Sequence, residues 1–280
     1  VDGKTVMSGS RMTIIAGVFS ICAILCYIVC FKLTSERVEV PASNQKVSAS
    51  AIFKSIFTNK ALLGIIVAAI FVLLSQLTVM SLAGYVYPNV YGSAAAQSTA
   101  SLLGTVVMLV ICAPFASKLA AKFGKKELAM VSCICSAIIW LVCFLWRPAN
   151  VWGFVACYIL SNVGMGFFNT IIWAMITDVI DDAEVRNGVR EDGTIYSVYS
   201  FARKLGQAFS SGLVGALLGI IGYTEATAFD PAVTRGIFNM ACIAPIVGFV
   251  AIVLALAFLY PLSKKKVEEN VAALAARRNQ

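Results

Sequence analysis

The chain has 280 residues, 60% of them hydrophobic and only 13% charged, with a net charge of +8. That composition excludes a soluble globular core and defines a polytopic membrane protein. With no histidine, and no CxxC pair among the nine cysteines, the residues offer neither a zinc site nor a histidine-based triad.

Uncharged runs predict the spans in chain order. The chain opens Val-Asp-Gly, without an initiator methionine and without a signal-peptide pattern. Met12 to Phe31 is the first span. A polar connection follows, roughly 32–50, and then an apolar-rich segment, Ala51 to Phe57, broken by Lys54 and expected to lie along the interface. From Ala61 to Ser117 there are 57 residues without a charge, enough for two spans, with Gly84, Pro88, Asn89 and Gly92 turning the chain between them. Lys118 to Glu127 reads as a short basic loop. Leu128 to Trp146, Val151 to Thr177, Thr194 to Gly222 and Gly236 to Leu262 complete seven spans, and a tail follows from Lys264. The expected fold is all-α: a polytopic membrane helical bundle.

The bases orient it. Sixteen Lys and Arg fall on one side, four on the other, and Arg203 and Lys204 within a span. The positive-inside rule makes the tail cytoplasmic and the first residues exterior. This distribution explains the net charge without nucleic acid. An odd span count, an exterior start and no initiator methionine suggest the rear part of a longer protein.

The sixth span is organised around its bases. Lys204 lies about 15 Å into it at about 1.5 Å per residue, near the midplane, where an ammonium costs about 3 kcal/mol or more. Ser197, Ser200, Lys204, Gln207 and Ser211 fall within roughly 80° of arc at about 100° per residue. A polar stripe beside a buried base reads as the lining of an aqueous cavity. The bland readings are a lysine paired with a carboxylate for structure alone, or one that snorkels to the interface.

Trp173-Ala-Met-x-x-Asp178-x-x-Asp181, then Arg190, Tyr196-Ser197, Lys204 and Leu218-Gly219-Ile-Ile-Gly222-Tyr223, resemble the glycoside–pentoside–hexuronide:cation symporters, the melibiose-permease-like family of the major facilitator superfamily. Phe57-Thr-Asn59-Lys60 looks like the entry to that family's seventh helix. Lys122-Phe-Gly124-Lys125-Lys126 looks like a degenerate copy of the superfamily's basic loop between helices eight and nine. The resemblance implies that residues 1–34 are helix six, 35–59 a cytoplasmic connection, 60–263 a C-terminal six-helix bundle and 264–280 a cytoplasmic tail. It implies a sugar or glycoside as substrate, Na⁺ or H⁺ as coupling ion and no other cofactor. The partners are then membrane lipid and the five preceding helices, which in the family carry the acidic cation site.

Under that resemblance Lys204 is the coupling residue, approaching the acidic site of the missing half. Asn162, Asn169 and Trp173 project within roughly 40° of arc on the fifth span and, with Ser200 and Gln207, are the substrate-binding candidates. Amides both donate to and accept from hydroxyls, and a tryptophan can stack on a sugar ring. The competing reading is that the amides bond neighbouring helices. Asp178, Asp181 and Arg190, in the loop after the fifth span, are the cytoplasmic gate candidates; otherwise they make a solvated, charge-balanced loop. Two rivals stay open: a lipid-transporting relative in the same superfamily, and a seven-helix receptor or retinal-type protein with its buried lysine in an unusual span.

Overall fold

The computed structural model describes residues 9–34 and 59–278, and every regular element among them is helical. The connection at 35–58, with the expected interfacial segment, lies outside the described residues. Helix α1 (Gly9–Leu33) belongs to one unit, residues 1–47, and the remaining helices to a second, residues 48–280. From Ile14 to Leu33 the large apolar side chains of α1 stand exposed, as a bilayer-facing helix requires.

In the second unit, α2 (Lys60–Tyr85) starts on Asn59, whose side chain accepts from the Leu62 N–H at 3.1 Å. It ends in a π-helical turn, Val86–Val90, that contains Pro88. Helices α3 (Ala94–Val107) and α4 (Ala113–Phe123) form one span, joined through a second π-helical turn at Met108–Cys112. Pro114 supplies no N–H to the ladder there, which loosens the turn before it. Helices α5 (Lys125–Trp146), α6 (Val151–Asn187), α7 (Asp192–Ile220), α8 (Pro231–Phe258) and α9 (Lys264–Arg278) follow.

The packing is a ring of neighbours. α2 packs on α7 and α8, α8 on α5, α5 on α6, and α6 on α3. Phe154 of α6 joins four of these helices: its ring centre lies 5.6 Å from that of Tyr87, 5.7 Å from Trp140 and 6.0 Å from Phe238. α7 reaches α2 through Gly206, where an added Cβ would stand 2.8 Å from the Ile70 carbonyl oxygen. Small residues at such a crossing let two backbones approach without help from the hydrophobic effect.

Among the described residues six helical stretches are long and apolar enough to cross a membrane: Thr13–Leu33, Lys60–Val90, Ala94–Phe123, Lys125–Trp146, Val151–Asn187 and Pro231–Phe258. This is a multi-pass membrane protein. α7, the sixth expected span, has 29 residues and hence the length, about 43 Å, but its bases and hydroxyls keep it out of the apolar set.

Three boundaries differ from the sequence reading, for one reason. α6 does not end at Thr177 but runs ten residues further, to Asn187, capped by Gly188 at φ 74°. The supposed loop at 118–127 is helix up to Phe123 and again from Lys125. The tail from Lys264 is itself a helix. Charge marks where a chain leaves hydrocarbon, whereas a helix continues into water as long as its residues favour it.

Candidate functional site

One polar feature lies between helices of the bundle, a second runs along the outer side of α7, and a third caps one end. The first joins α6 to α2. Asn169 Nδ2 donates to Gln76 Oε1 at 3.5 Å, and Asn162 Nδ2 donates to its own helix at Tyr158 O, 2.8 Å. Asn162 and Gln76 line a pocket of about 70 Å³ with Trp140, Tyr158, Ser161 and Met165. Ligand sites usually run to about 300 Å³ or more, so this pocket is a corner of a site that other surfaces must complete. Gln76 was not among the expected residues. It lies next to Ser75, whose hydroxyl donates to the Phe71 carbonyl at 2.7 Å.

The second feature is the stripe on α7. Ala202, Gly206 and Ser210 are buried toward α2, and Ser210 shares a 3.3 Å hydrogen bond with Thr78. Ser197, Ser200, Lys204 and Ser211 lie on the other side of α7, exposed, with Gln207 half-buried beside them. Lys204 Nζ donates to Gln207 Oε1 at 3.3 Å. Further along α7, a Cβ added at Gly215 or Gly219 would meet nothing within 4 Å. In this chain, then, the lysine faces outward on a seam of hydroxyls and an amide. Among the described residues no hydrogen bond joins it to the Asn162–Asn169–Gln76 corner.

Trp173, half exposed, keeps different company from the asparagines. The Arg203 guanidinium lies 5.4 Å from its ring centre and 5.8 Å from that of Tyr199. Arg203 also donates to the Tyr199 hydroxyl at 3.3 Å, and the two rings meet edge to face at 5.5 Å. A cation held between two aromatic faces is fixed in direction as well as place. The sequence put Arg203 inside the span but gave it no role.

The third feature sits where α5 begins and α6 ends. Lys125 Nζ meets Asp178 Oδ1 at 2.6 Å and the Ala174 carbonyl at 3.4 Å. Arg190 is ringed by Glu184 at 2.8 Å, Asp181 at 2.9 Å and Asp192 at 2.9 Å, and these bonds, Glu184's above all, hold its guanidinium above its ordinary pKa. Asp182 is paired with Arg186 and accepts from Asn270 Nδ2 of α9 at 3.0 Å. Arg277 of α9 donates to the Val185 carbonyl at 3.0 Å. So Asp178 and Asp181 belong to the last turns of a helix and not to a loop, and only four residues, 188–191, separate α6 from α7. Asp178 takes Lys125 as its partner, while Arg190 takes Asp181. A basic residue 53 positions upstream leaves no local signal in the sequence that would identify it. Among the described residues no three metal-ligating side chains converge.

The MFS/sugar transport protein family matches residues 3–264, and the chain belongs to it. This bears out the symporter resemblance read from the residues. Similar proteins include an uncharacterized symporter, YjmB, of Bacillus subtilis (strain 168), 29% identical across 93% of this chain and 57% of that one. A glucuronide carrier protein homolog of Escherichia coli (strain K12) is 27% identical across 92% and 56%. A putative sulfoquinovose importer of Salmonella typhimurium is 26% identical across 95% and 56%. The chain spans a little over half the length of these curated relatives.

Proposed function

We propose that this chain is the C-terminal part of a secondary active transporter that moves a sugar or glycoside by cation-coupled symport through alternating access. One observation carries the reading: Lys204 and Gln207, hydrogen-bonded at 3.3 Å, stand with Ser197, Ser200 and Ser211 on a face of α7 that the other described helices of its own unit leave open. A base inside a bilayer needs carboxylates or water opposite it. A second half of the transporter, seated on that face, would supply both.

In this mechanism Asn162, Asn169, Gln76, Ser200 and Gln207 bind sugar hydroxyls, and Trp173 offers a ring face. Lys204 occupies the position of a cation beside acidic groups of the other half. Arrival of Na⁺ or H⁺ releases it, which links ion occupancy to the state of the cavity. Asp178, with Lys125, and Asp181, with Arg190, hold the basic end closed in one state and separate in the other. The positive-inside rule makes that end cytoplasmic. The names of the relatives, a glucuronide carrier protein homolog and a putative sulfoquinovose importer among them, favour a glycoside or acidic sugar over a lipid as the substrate.

The test uses the intact transporter in proteoliposomes with imposed Na⁺ or H⁺ gradients. A panel of a methyl glucuronide, sulfoquinovose and isoprimeverose serves as substrates. Gradient-driven accumulation of at least one sugar, abolished in Lys204→Ala while downhill flux persists, is the expected result. Accumulation unchanged in Lys204→Ala removes the lysine from coupling. Uptake of lysolipid and of no sugar overturns the substrate class.

A further inference from the structure

The helix pair α5–α8 carries two features that the transport reading does not use. At the end of the bundle away from Asp178, a pocket of about 380 Å³ is lined by Arg147, Arg235, Tyr91, Pro148, Thr234 and Phe238, among others. Among the described residues no carboxylate lines it. Arg147 holds a left-handed conformation at φ 49°, and its guanidinium donates to Asn239 Oδ1 at 3.3 Å. Tyr91 fixes the turn beside it by donating to the Pro148 carbonyl at 3.0 Å. A non-glycine residue in that conformation is strained by about 1 kcal/mol or more and persists only where its surroundings enforce it. The effect here is to bring Arg147 onto α8.

Along the same helix pair lies a purely apolar groove of about 260 Å³, lined by Ile138 and Leu141 of α5 and by Ile246, Val250, Val253 and Leu254 of α8, among others. The two are in register. Arg235, Asn239, Ile246, Val250 and Val253 fall within about 60° of arc on α8 at about 100° per residue. Ile246 is eleven residues below Arg235, or about 16 Å, which is the depth of one leaflet's hydrocarbon. Trp146, exposed next to Arg147, marks the interfacial level at which tryptophans collect.

We propose that the α5–α8 face is a seat for one phospholipid with an anionic headgroup. Arg147 and Arg235 hold the phosphate at the mouth, and an acyl chain lies in the groove below. Arginine suits this role because its fork pairs with phosphate oxygens, and paired guanidiniums with no carboxylate among them favour an anionic over a zwitterionic headgroup. A soluble acid would use the arginines alone and leave the groove unused.

Native mass spectrometry of the intact transporter, titrated with phosphatidylglycerol or phosphatidylcholine in detergent, tests this. Phosphatidylglycerol should bind at least tenfold more tightly than phosphatidylcholine. Arg147→Gln with Arg235→Gln should erase that preference, and Arg147→Lys with Arg235→Lys should retain most of it. Val250→Trp, which fills the groove at a lipid-facing position without touching charge, should weaken phosphatidylglycerol binding several-fold. Circular dichroism checks that each variant keeps its helices. Equal affinity for the two lipids in the unaltered protein overturns the proposal, as does undiminished phosphatidylglycerol binding in the double Gln variant. So does displacement of the lipid by millimolar glucuronate combined with indifference to Val250→Trp, which would assign the arginines to a soluble acid.

Discussion

Lys125 Nζ stands 2.6 Å from Asp178 Oδ1, and that contact ties the first turn of α5 to a carboxylate that is almost completely buried on α6. A buried carboxylate tolerates its surroundings only while its partner is present; removing one member of a fully buried pair costs about 3–5 kcal/mol. The Lys125 side chain is 33% exposed, which moderates the loss. Lys125→Met should therefore destabilise the bundle by about 2 kcal/mol, measured by thermal unfolding in detergent. Adding Asp178→Asn in the same protein should recover most of it, because no orphaned charge remains. Arg190→Gln should leave this coupling unchanged.

Arg190 is a different kind of junction. It holds three carboxylates across the short turn between α6 and α7, and its own side chain is 37% exposed. Exposed pairs contribute about 0–1 kcal/mol each and weaken in salt. Arg190→Gln should thus change stability by about 1 kcal/mol or less. Its effect should fall on transport rate, which stopped-flow uptake would show as a loss of several-fold. A rate equal to that of the unaltered transporter would confine Arg190 to surface charge balance.

Lys204→Ala separates structure from coupling most cleanly. The side chain is exposed and makes one 3.3 Å bond, to Gln207. Within this half its truncation removes that bond alone, a loss of the surface kind, within about 0.5 kcal/mol. An unfolding midpoint that holds while gradient-driven accumulation collapses is the expected pair of results. A large stability loss would instead mean that Lys204 is a structural partner in the assembled transporter.

The amide corner predicts a graded effect. Gln76→Ala and Asn169→Ala each remove one partner of a 3.5 Å bond and one group able to meet a sugar hydroxyl. A hydrogen bond of this class is worth about 0.5–1.5 kcal/mol, or roughly twofold to tenfold in affinity. KM for the transported sugar should rise by that factor with kcat little changed. An unchanged KM in both variants would place the substrate elsewhere.

Gly206→Ala tests the α2–α7 crossing. The new methyl would stand 2.8 Å from the Ile70 carbonyl oxygen, a backbone atom that can move only with its helix. Overpacking of this kind costs about 1–3 kcal/mol. The same substitution at Gly215, where a Cβ meets nothing, leaves this bundle's own packing intact. A stability loss at Gly215 in the intact transporter would report a surface seated on the outer face of α7.

Much of this was readable from uncharged runs and punctuation. Trp146 and Val151 are helix ends in both the sequence reading and the structure, because Pro148 and Asn150 break and restart the chain between them. Asp178 to Asn187 reads as loop in the sequence and is helix in the structure, since hydropathy tracks solvent while helix length tracks propensity and capping. The α7 stripe was visible because 3.6-residue periodicity keeps Ser200, Lys204, Gln207 and Ser211 on one side. The pairing of Lys125 with Asp178, and of Arg203 with Trp173, was not visible. Both depend on which helices become neighbours, and no local pattern encodes that.

α6 is one unbroken helix of 37 residues, about 55 Å from end to end. Asn162 and Asp182 ride on it some 30 Å apart at about 1.5 Å per residue. A tilt of roughly 10° about Asn162 would sweep the acidic end sideways by about 5 Å, more than enough to part the Asp181–Arg190 and Lys125–Asp178 contacts. On such a rod, a movement at the Asn162 end is carried to the Asp182 end as leverage and needs no relay of side chains.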